Sequence, residues 1–287
     1  MLKPIYIGKK LFDWENNLFF MGVLNVTPDS FSDGGKYFHL DSAIKRALEL
    51  VEEGADIIDI GGESTRPFSD PVPEEEELKR VIPVIKELKK LLPDIPISID
   101  TYKSKVAEEA LKAGADMIND ISAGRFDPNI IEVARDYNCP IVITHMKGNP
   151  KTMQIDPIYD NVIEEIKRFL QERIETLLKK GISQEKIIID PGIGFGKKAE
   201  HNITILQNIE KFKDLGCPIL VGHSRKRFIT KFLNKPPEER DYATAGISIG
   251  LALKGVNILR VHRVDVNKDA IFLFKEIFGK RLNLHCN

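Results

Sequence analysis

Cysteine is scarce in this chain: Cys139, Cys217 and Cys286 are all it has in 287 residues. At these spacings they form neither a disulfide framework nor a metal-ligand set. Cys139 and Cys217 each precede a proline at the start of an apolar run, as small core residues do. Long apolar runs are missing too, none approaching the ~20 residues that cross a bilayer. Neither sign of charge dominates, with Lys+Arg 42 against Asp+Glu 43 and a formal charge of -1. No long basic stretch stands out, so neither nucleic acid nor a membrane is the expected partner. The opening Met1-Leu2-Lys3-Pro4-Ile5-Tyr6 lacks a signal peptide's apolar core, and the expected location is the cytoplasm.

What the chain does have is a rhythm. Short β-branched runs at 20–25, 57–62, 95–100, 116–120, 141–146, 187–190, 219–224 and 257–262 recur, most of them ending on a polar or charged residue. Runs without polar alternation suit a parallel sheet buried on both faces. Eight such strands alternating with helices close a (β/α)8 barrel, whose active site lies at the C-terminal strand ends. The expected organisation is one barrel domain over 1–287, with 1–19 as a short N-terminal β-hairpin that could plug the barrel bottom. The first helix is read from Asp41 as N-cap to Gly54 as its C-terminal stop. Further helices are read from 74 onward and over 103–113, 129–138, 159–180, 199–215, 225–233, 243–254 and 265–278. Two loops, 27–40 and 64–73, exceed what the architecture needs and read as covers over the pocket mouth.

The residues ending the runs point to chemistry. Asp100, Asn119 and Asp190 would line one mouth, able to accept from an N–H-rich heterocycle or to act as acid and base. Each carboxylate alone could equally cap a helix or a turn. Ser224-Arg225-Lys226-Arg227 opens a helix after the seventh strand, where barrels often bind phosphate. Arg260 and His262 alternate onto one face of the last strand, and Arg263 falls on the other. Gly192-Ile193-Gly194-Phe195-Gly196-Lys197 fits neither a dinucleotide nor a P-loop spacing. Its glycines are read as letting the backbone pass a bound ligand closely. His145 has no second histidine at metal spacing and is read as packed, with Met146 lining the pocket.

These residues resemble a known family. Gly22-Val23-Leu24-Asn25-Val26-Thr27-Pro28-Asp29-Ser30-Phe31-Ser32-Asp33-Gly34-Gly35 and Gly61-Gly62-Glu63-Ser64-Thr65-Arg66-Pro67 closely resemble signatures of the dihydropteroate synthases. So do Ile118-Asn119-Asp120-Ile121, His145-Met146-Lys147-Gly148-Asn149-Pro150, Asp190-Pro191-Gly192, Ser224-Arg225-Lys226 and Arg260-Val261-His262. The likeness runs in order from the first strand to the last.

The resemblance implies a transferase of folate biosynthesis, a pterin-binding enzyme and sulfonamide target. It would join a dihydropterin hydroxymethyl diphosphate to 4-aminobenzoate, with Mg2+ as cofactor and a homodimer as assembly. Carried over by motif, Asn25, Asp33, Arg66 and Lys226 form the catalytic set, with Asn25 on the metal. Thr65, Asp100, Asn119, Met146, Asp190, Phe195, Lys226, Arg260 and His262 would bind the pterin substrate. Phe31, Pro67, Phe68 and Arg227 would wall the aminobenzoate slot. Three positions depart from the family pattern: Phe68 where glycine is common, Arg227 where a small hydroxyl residue is frequent, and Arg263 where an acid often stands. Rival readings are a methyltetrahydrofolate–corrinoid methyltransferase and a non-catalytic pterin-binding protein. A Schiff-base aldolase would want a lysine inside the sixth strand, which reads Ile187-Ile188-Ile189-Asp190.

Overall fold

The ends of the eight strands carry the site, so their register decides everything above them. The computed structural model describes residues 1–27, 36–64 and 69–279. A hairpin of β1 (Ile5–Ile7) and β2 (Lys10–Phe12) comes first, its turn made by Gly8 at φ +56. Then follow β3 (Phe19–Asn25), α1 (Lys36–Glu52), β4 (Ile57–Gly61), α2 (Glu74–Leu91), β5 (Ile97–Asp100) and α3 (Ser104–Ala113). Next are β6 (Met117–Asp120), α4 (Asn129–Asp136), β7 (Ile141–Thr144), α5 (Val162–Lys179), β8 (Ile187–Asp190) and α6 (Ala199–Gln207). The chain closes with β9 (Leu220–Val221), α7 (Asp241–Leu253), β10 (Ile258–Val261) and α8 (Val264–Phe278). Eight parallel strands pair in the order β8-β7-β6-β5-β4-β3-β10-β9. The ring is joined by a parallel bridge between Ile189 and Ile219, with Ile189 N donating to Pro218 O at 2.9 Å.

Alternation along each strand sorts the side chains. Ile58, Ile60, Ile99, Ile118, Ile143, Ile189, Val221, Leu259 and Val261 face outward and pack against the helices. Met21, Ile57, Met117, Val142, Ile188, Leu220 and Ile258 face inward at the N-terminal ends of their strands. There they meet Ile5, Ile7, Phe12, Trp14 and Phe19, so the hairpin does plug the barrel bottom. Two residues further along the same inward faces stand Asp59, Asn119, Asp190 and Arg260. The lumen is therefore apolar below and polar above.

Three sequence readings need correction. Helix α1 starts at Lys36, so Asp41 is an exposed residue inside it and caps nothing, and the first loop ends before residue 40. The stripe of Leu40, Ala43, Ile44, Ala47, Leu50 and Val51 facing the core carries the helix through that point. Such a stripe outweighs a cap preference of ~1 kcal/mol. The sixth helix stops at Gln207, and Ile209–Leu215 continues as a 3-10 helix. Buried Ile209, Phe212 and Leu215 lie three apart, which puts them on one face only at 3-10 periodicity. After β9 the expected helix is a 3-10 turn over Arg227–Lys231. No helix among the described residues is long and apolar enough to cross a membrane.

Candidate active site

A buried guanidinium holds the mouth together. Arg260 on β10 donates from Nε to Asp59 Oδ2 at 2.6 Å and from Nη2 to Asp100 Oδ2 at 2.7 Å. Asn119 on β6 donates to the same Asp59 oxygen at 3.0 Å. Strands β4, β5, β6 and β10 are thus tied through side chains inside the lumen. The other Asp59 oxygen is buried without a partner. Across the mouth, Asp190 accepts from Gly192 N at 2.7 Å through one oxygen. A Cβ added at Gly222 would lie 3.8 Å from both the second Asp190 oxygen and Arg260 Cδ. Asp100 caps no helix, whereas Asp190 does fix its own turn.

Burial governs the charges. It lifts the Asp100 carboxyl to about 7, the nearby Arg260 opposing and Asp59 adding to the rise. Asp190 is also raised by burial, partly offset by the Gly192 N–H. Lys226 is lowered to about 8 by burial, with the Arg260 charge adding to it and Asp190 opposing. Burial also works against the Arg260 charge, but Asp59 and Asp100 more than offset it. The Lys226 amine stands 4.3 Å from the centre of the Phe195 ring, a cation–π distance. Phe195 packs with Met146, Ile121, Met153 and Tyr102 in a small apolar cluster at the mouth.

On the rim, Ser224 Oγ lies 2.9 Å from His262 Nδ1 and accepts from His262 N at 3.2 Å. Arg225 instead forms a bidentate pair with Asp241, at 2.8 and 2.7 Å, with its backbone at φ +59. Its charge is committed away from the mouth, so the basic turn offers fewer free cations than its sequence promised. Arg227 is exposed, and Arg263 pairs with Asp265 off the pocket face as its alternation required. Asn25 ends β3 on the inward face, paired with Gly61 through its backbone, and its side chain makes no hydrogen bond among the described residues. Phe31, Asp33, Thr65, Arg66, Pro67 and Phe68 lie outside the described residues.

The root of the second loop is pinned. Glu63 accepts from Val72 N at 3.0 Å, from Lys103 Nζ at 2.6 Å and from Tyr102 OH at 3.0 Å. Lys103 also donates to Val72 O at 2.7 Å and to buried Glu77. The glycines at 192, 194 and 196 have positive φ, and each also lies close to protein atoms. Cβ atoms at Gly192 and Gly196 would overlap the carbonyl oxygens of His145 and Lys147, and one at Gly194 would crowd Lys226.

Asp59 escaped the sequence reading, although it interrupts Ile57-Ile58-Asp59-Ile60 on the inward face, where a charge needs a partner. Removing one member of a buried ion cluster costs ~3–5 kcal/mol, because the remaining charge is left uncompensated. Asp59→Ala is therefore expected to lower unfolding free energy by roughly that amount, and Asp59→Asn by less. Urea unfolding followed by circular dichroism measures this. A loss below ~1 kcal/mol for Asp59→Ala would show that Arg260 does not depend on it.

The profile of the pterin binding enzyme family matches residues 21–262. A dihydropteroate synthase from Synechocystis is 48% identical over 263 residues, covering 91% of each chain. The solved Xanthomonas albilineans dihydropteroate synthase with 4-aminobenzoic acid is 40% identical with a TM-score of 0.90, covering 98% of this chain and 100% of its own. The same enzyme in complex with 7,8-dihydropteroate gives 38% identity and a TM-score of 0.87, covering 97% and 100%. The chain belongs to the dihydropteroate synthase family of pterin binding enzymes, a family of transferases.

Proposed function

We propose that this mouth joins a dihydropterin hydroxymethyl diphosphate to 4-aminobenzoate, and that the pterin C–O bond breaks early, without a protein nucleophile. The observation that carries the reading is the gathering of Asp100, Asn119 and Asp190 around one lumen, beside Lys226 and Arg260. Asp100, Asn119 and Asp190 take the pterin's polar edge, whose N–H groups suit carboxyl and carboxamide acceptors. The unpartnered Asp59 oxygen leaves one more buried acceptor in reach of that edge. Lys226 bonds a ring heteroatom, and the planar Arg260 guanidinium stacks on the ring, which a lysine could not do. Met146 and Phe195 wall the ring.

The electron-rich ring stabilises a carbocation as diphosphate leaves, and the aromatic amine then attacks it. His262, held by Ser224, contacts the diphosphate. Thr65 and Arg66 belong beside the diphosphate and the reacting carbon, and Asp33 with them. Phe31, Pro67 and Phe68 wall the aminobenzoate slot and keep out water, which would trap the cation. Arg227, which is exposed, meets the aminobenzoate carboxylate by its guanidinium or backbone N–H.

Among the described residues no three or more His, Cys, Asp or Glu side chains gather as a metal cage. The Asn25 side-chain amide oxygen, a hard donor at the strand end with no hydrogen bond among the described residues, would suit Mg2+, which keeps several waters. When bound, Mg2+ supplies charge neutralisation at the leaving diphosphate.

The reaction is tested by diphosphate release with the pterin diphosphate and Mg2+, with and without 4-aminobenzoate, across pH. Release should require both substrates. Because Lys226 sits at about 8, kcat/KM for the pterin should fall above that pH as the amine loses its proton. Lys226→Arg should remove that alkaline limb. Release without aminobenzoate, or a wild-type profile flat through pH 9, contradicts the reading.

The reading extends to a cytoplasmic homodimer. Helices α7 and α8 expose Tyr242, Leu253, Phe272, Leu273, Ile277 and Phe278, an apolar surface of the kind that marks an interface. Light scattering should give twice the 32.5 kDa chain mass, and Leu273→Glu with Ile277→Glu should return the monomer. A monomeric wild type rules the dimer out.

A further inference from the structure

One buried lysine takes no part in the proposed chemistry. Lys197 is 2% exposed and forms no ion pair with any described carboxylate. Its Nζ lies 2.9 Å from His145 Nδ1, 3.2 Å from His145 O and 3.0 Å from Phe195 O. The nitrogen donates to two carbonyls, and the tautomer of His145 sets the direction of the third bond. That is the setting of a cross-link, not of a nucleophile.

The cross-link does not act alone. The turn after β8 presents three successive carbonyls to its surroundings. Gly194 O accepts from Gln154 Nε2 at 2.7 Å, Phe195 O from Lys197, and Gly196 O from Tyr159 OH at 2.8 Å. Gln154 and Tyr159 both come from the long segment after β7. The close approach of Gly192 to His145 O and of Gly196 to Lys147 O leaves no space between the two backbones. On its other side, Met146 O accepts from Arg125 Nη2 at 2.9 Å. The turn bearing Phe195 and the strand end bearing Met146 are thus fastened together, with Lys197 at the buried centre.

We infer that Lys197 is a positioning residue. Its amine fixes the strand end of Met146 against the turn of Phe195 and so sets the width of the slot that receives the flat pterin ring. The inference rests on the pterin site proposed above. It also accounts for Gly192 and Gly196, which are required where the turn meets the backbone of His145 and Lys147 just after β7. Displacing a substrate-positioning wall by ~1 Å is enough for a large loss.

Lys197→Met keeps the aliphatic stem and removes the donors. It should raise the pterin KM by about tenfold or more while kcat at saturating pterin and the aminobenzoate KM change less than about threefold. General loosening of the fold would move both substrates' constants together. Because Lys197 acts through Met146, the double variant with Met146→Ala should lose little more than the worse single variant. An unchanged pterin KM, equal changes for both substrates, or additive losses overturn the inference. Should Lys197→Met fail to fold, Gln154→Leu removes the outer tie to the same turn. It should raise the pterin KM by about threefold with kcat unchanged, and no rise there overturns the inference as well. Calorimetric titration of the wild type with the pterin diphosphate separates the two ideas. No binding sinks the site assignment, whereas wild-type binding undiminished in Lys197→Met sinks only the role of Lys197.

Discussion

Arg260 can be charged inside the barrel only because Asp59 and Asp100 close on it from two other strands. A lone buried guanidinium would cost several kcal/mol, and being always protonated it could not escape that cost by losing a proton. The cluster therefore demands that β4, β5 and β10 stay in one register, and the ring of parallel strands supplies it. Asn119 extends the tie to β6 through the same Asp59 oxygen. With two acids against one guanidinium, the cluster keeps acceptor capacity for N–H donors from outside. Nearby, the Lys226 amine is the cation that balances it.

The division of the lumen follows from this. Below the cluster, Met21, Ile57, Met117, Val142, Ile188, Leu220 and Ile258 pack on the hairpin, and its Phe12 and Phe19 rings lie 4.4 Å apart. That plug leaves the polar layer open at one end only. Dry walls beneath and around the charges explain why burial is the largest influence on Asp100, Asp190 and Lys226 alike. A carboxyl near 7 and an amine near 8 are poised to change state when a hydrogen-bonding ring arrives. Fold and chemistry are set by the same alternation of side chains.

Much of this was legible in the chain. The eight β-branched runs gave the barrel because parallel strands need apolar residues on both faces, and each observed strand lies within its run or one residue beyond it. The inward positions of Arg260 and His262, and the outward one of Arg263, followed from period-two alternation alone. Asp59 was missed because attention to strand ends passes over a charge in mid-strand. The partner of Arg225 was missed because Asp241 is sixteen residues away and belongs to α7. The start of α1 was misplaced because a capping residue is a weaker signal than the apolar stripe running past it. Contacts between successive βα loops, such as those of Lys197, depend on backbone approach that sequence spacing does not encode.

The claim on which the rest turns is that Asp100, raised by burial, meets the N–H edge of the pterin. Calorimetry with the hydroxymethyl pterin lacking its diphosphate, at pH 7 in buffers of different ionisation enthalpy, reads the protons exchanged on binding. A carboxyl that titrates at about 7 and ionises against the ring should release roughly half a proton. Asp100→Asn should release none. Proton uptake by the wild type, or the same release from Asp100→Asn, would contradict the account.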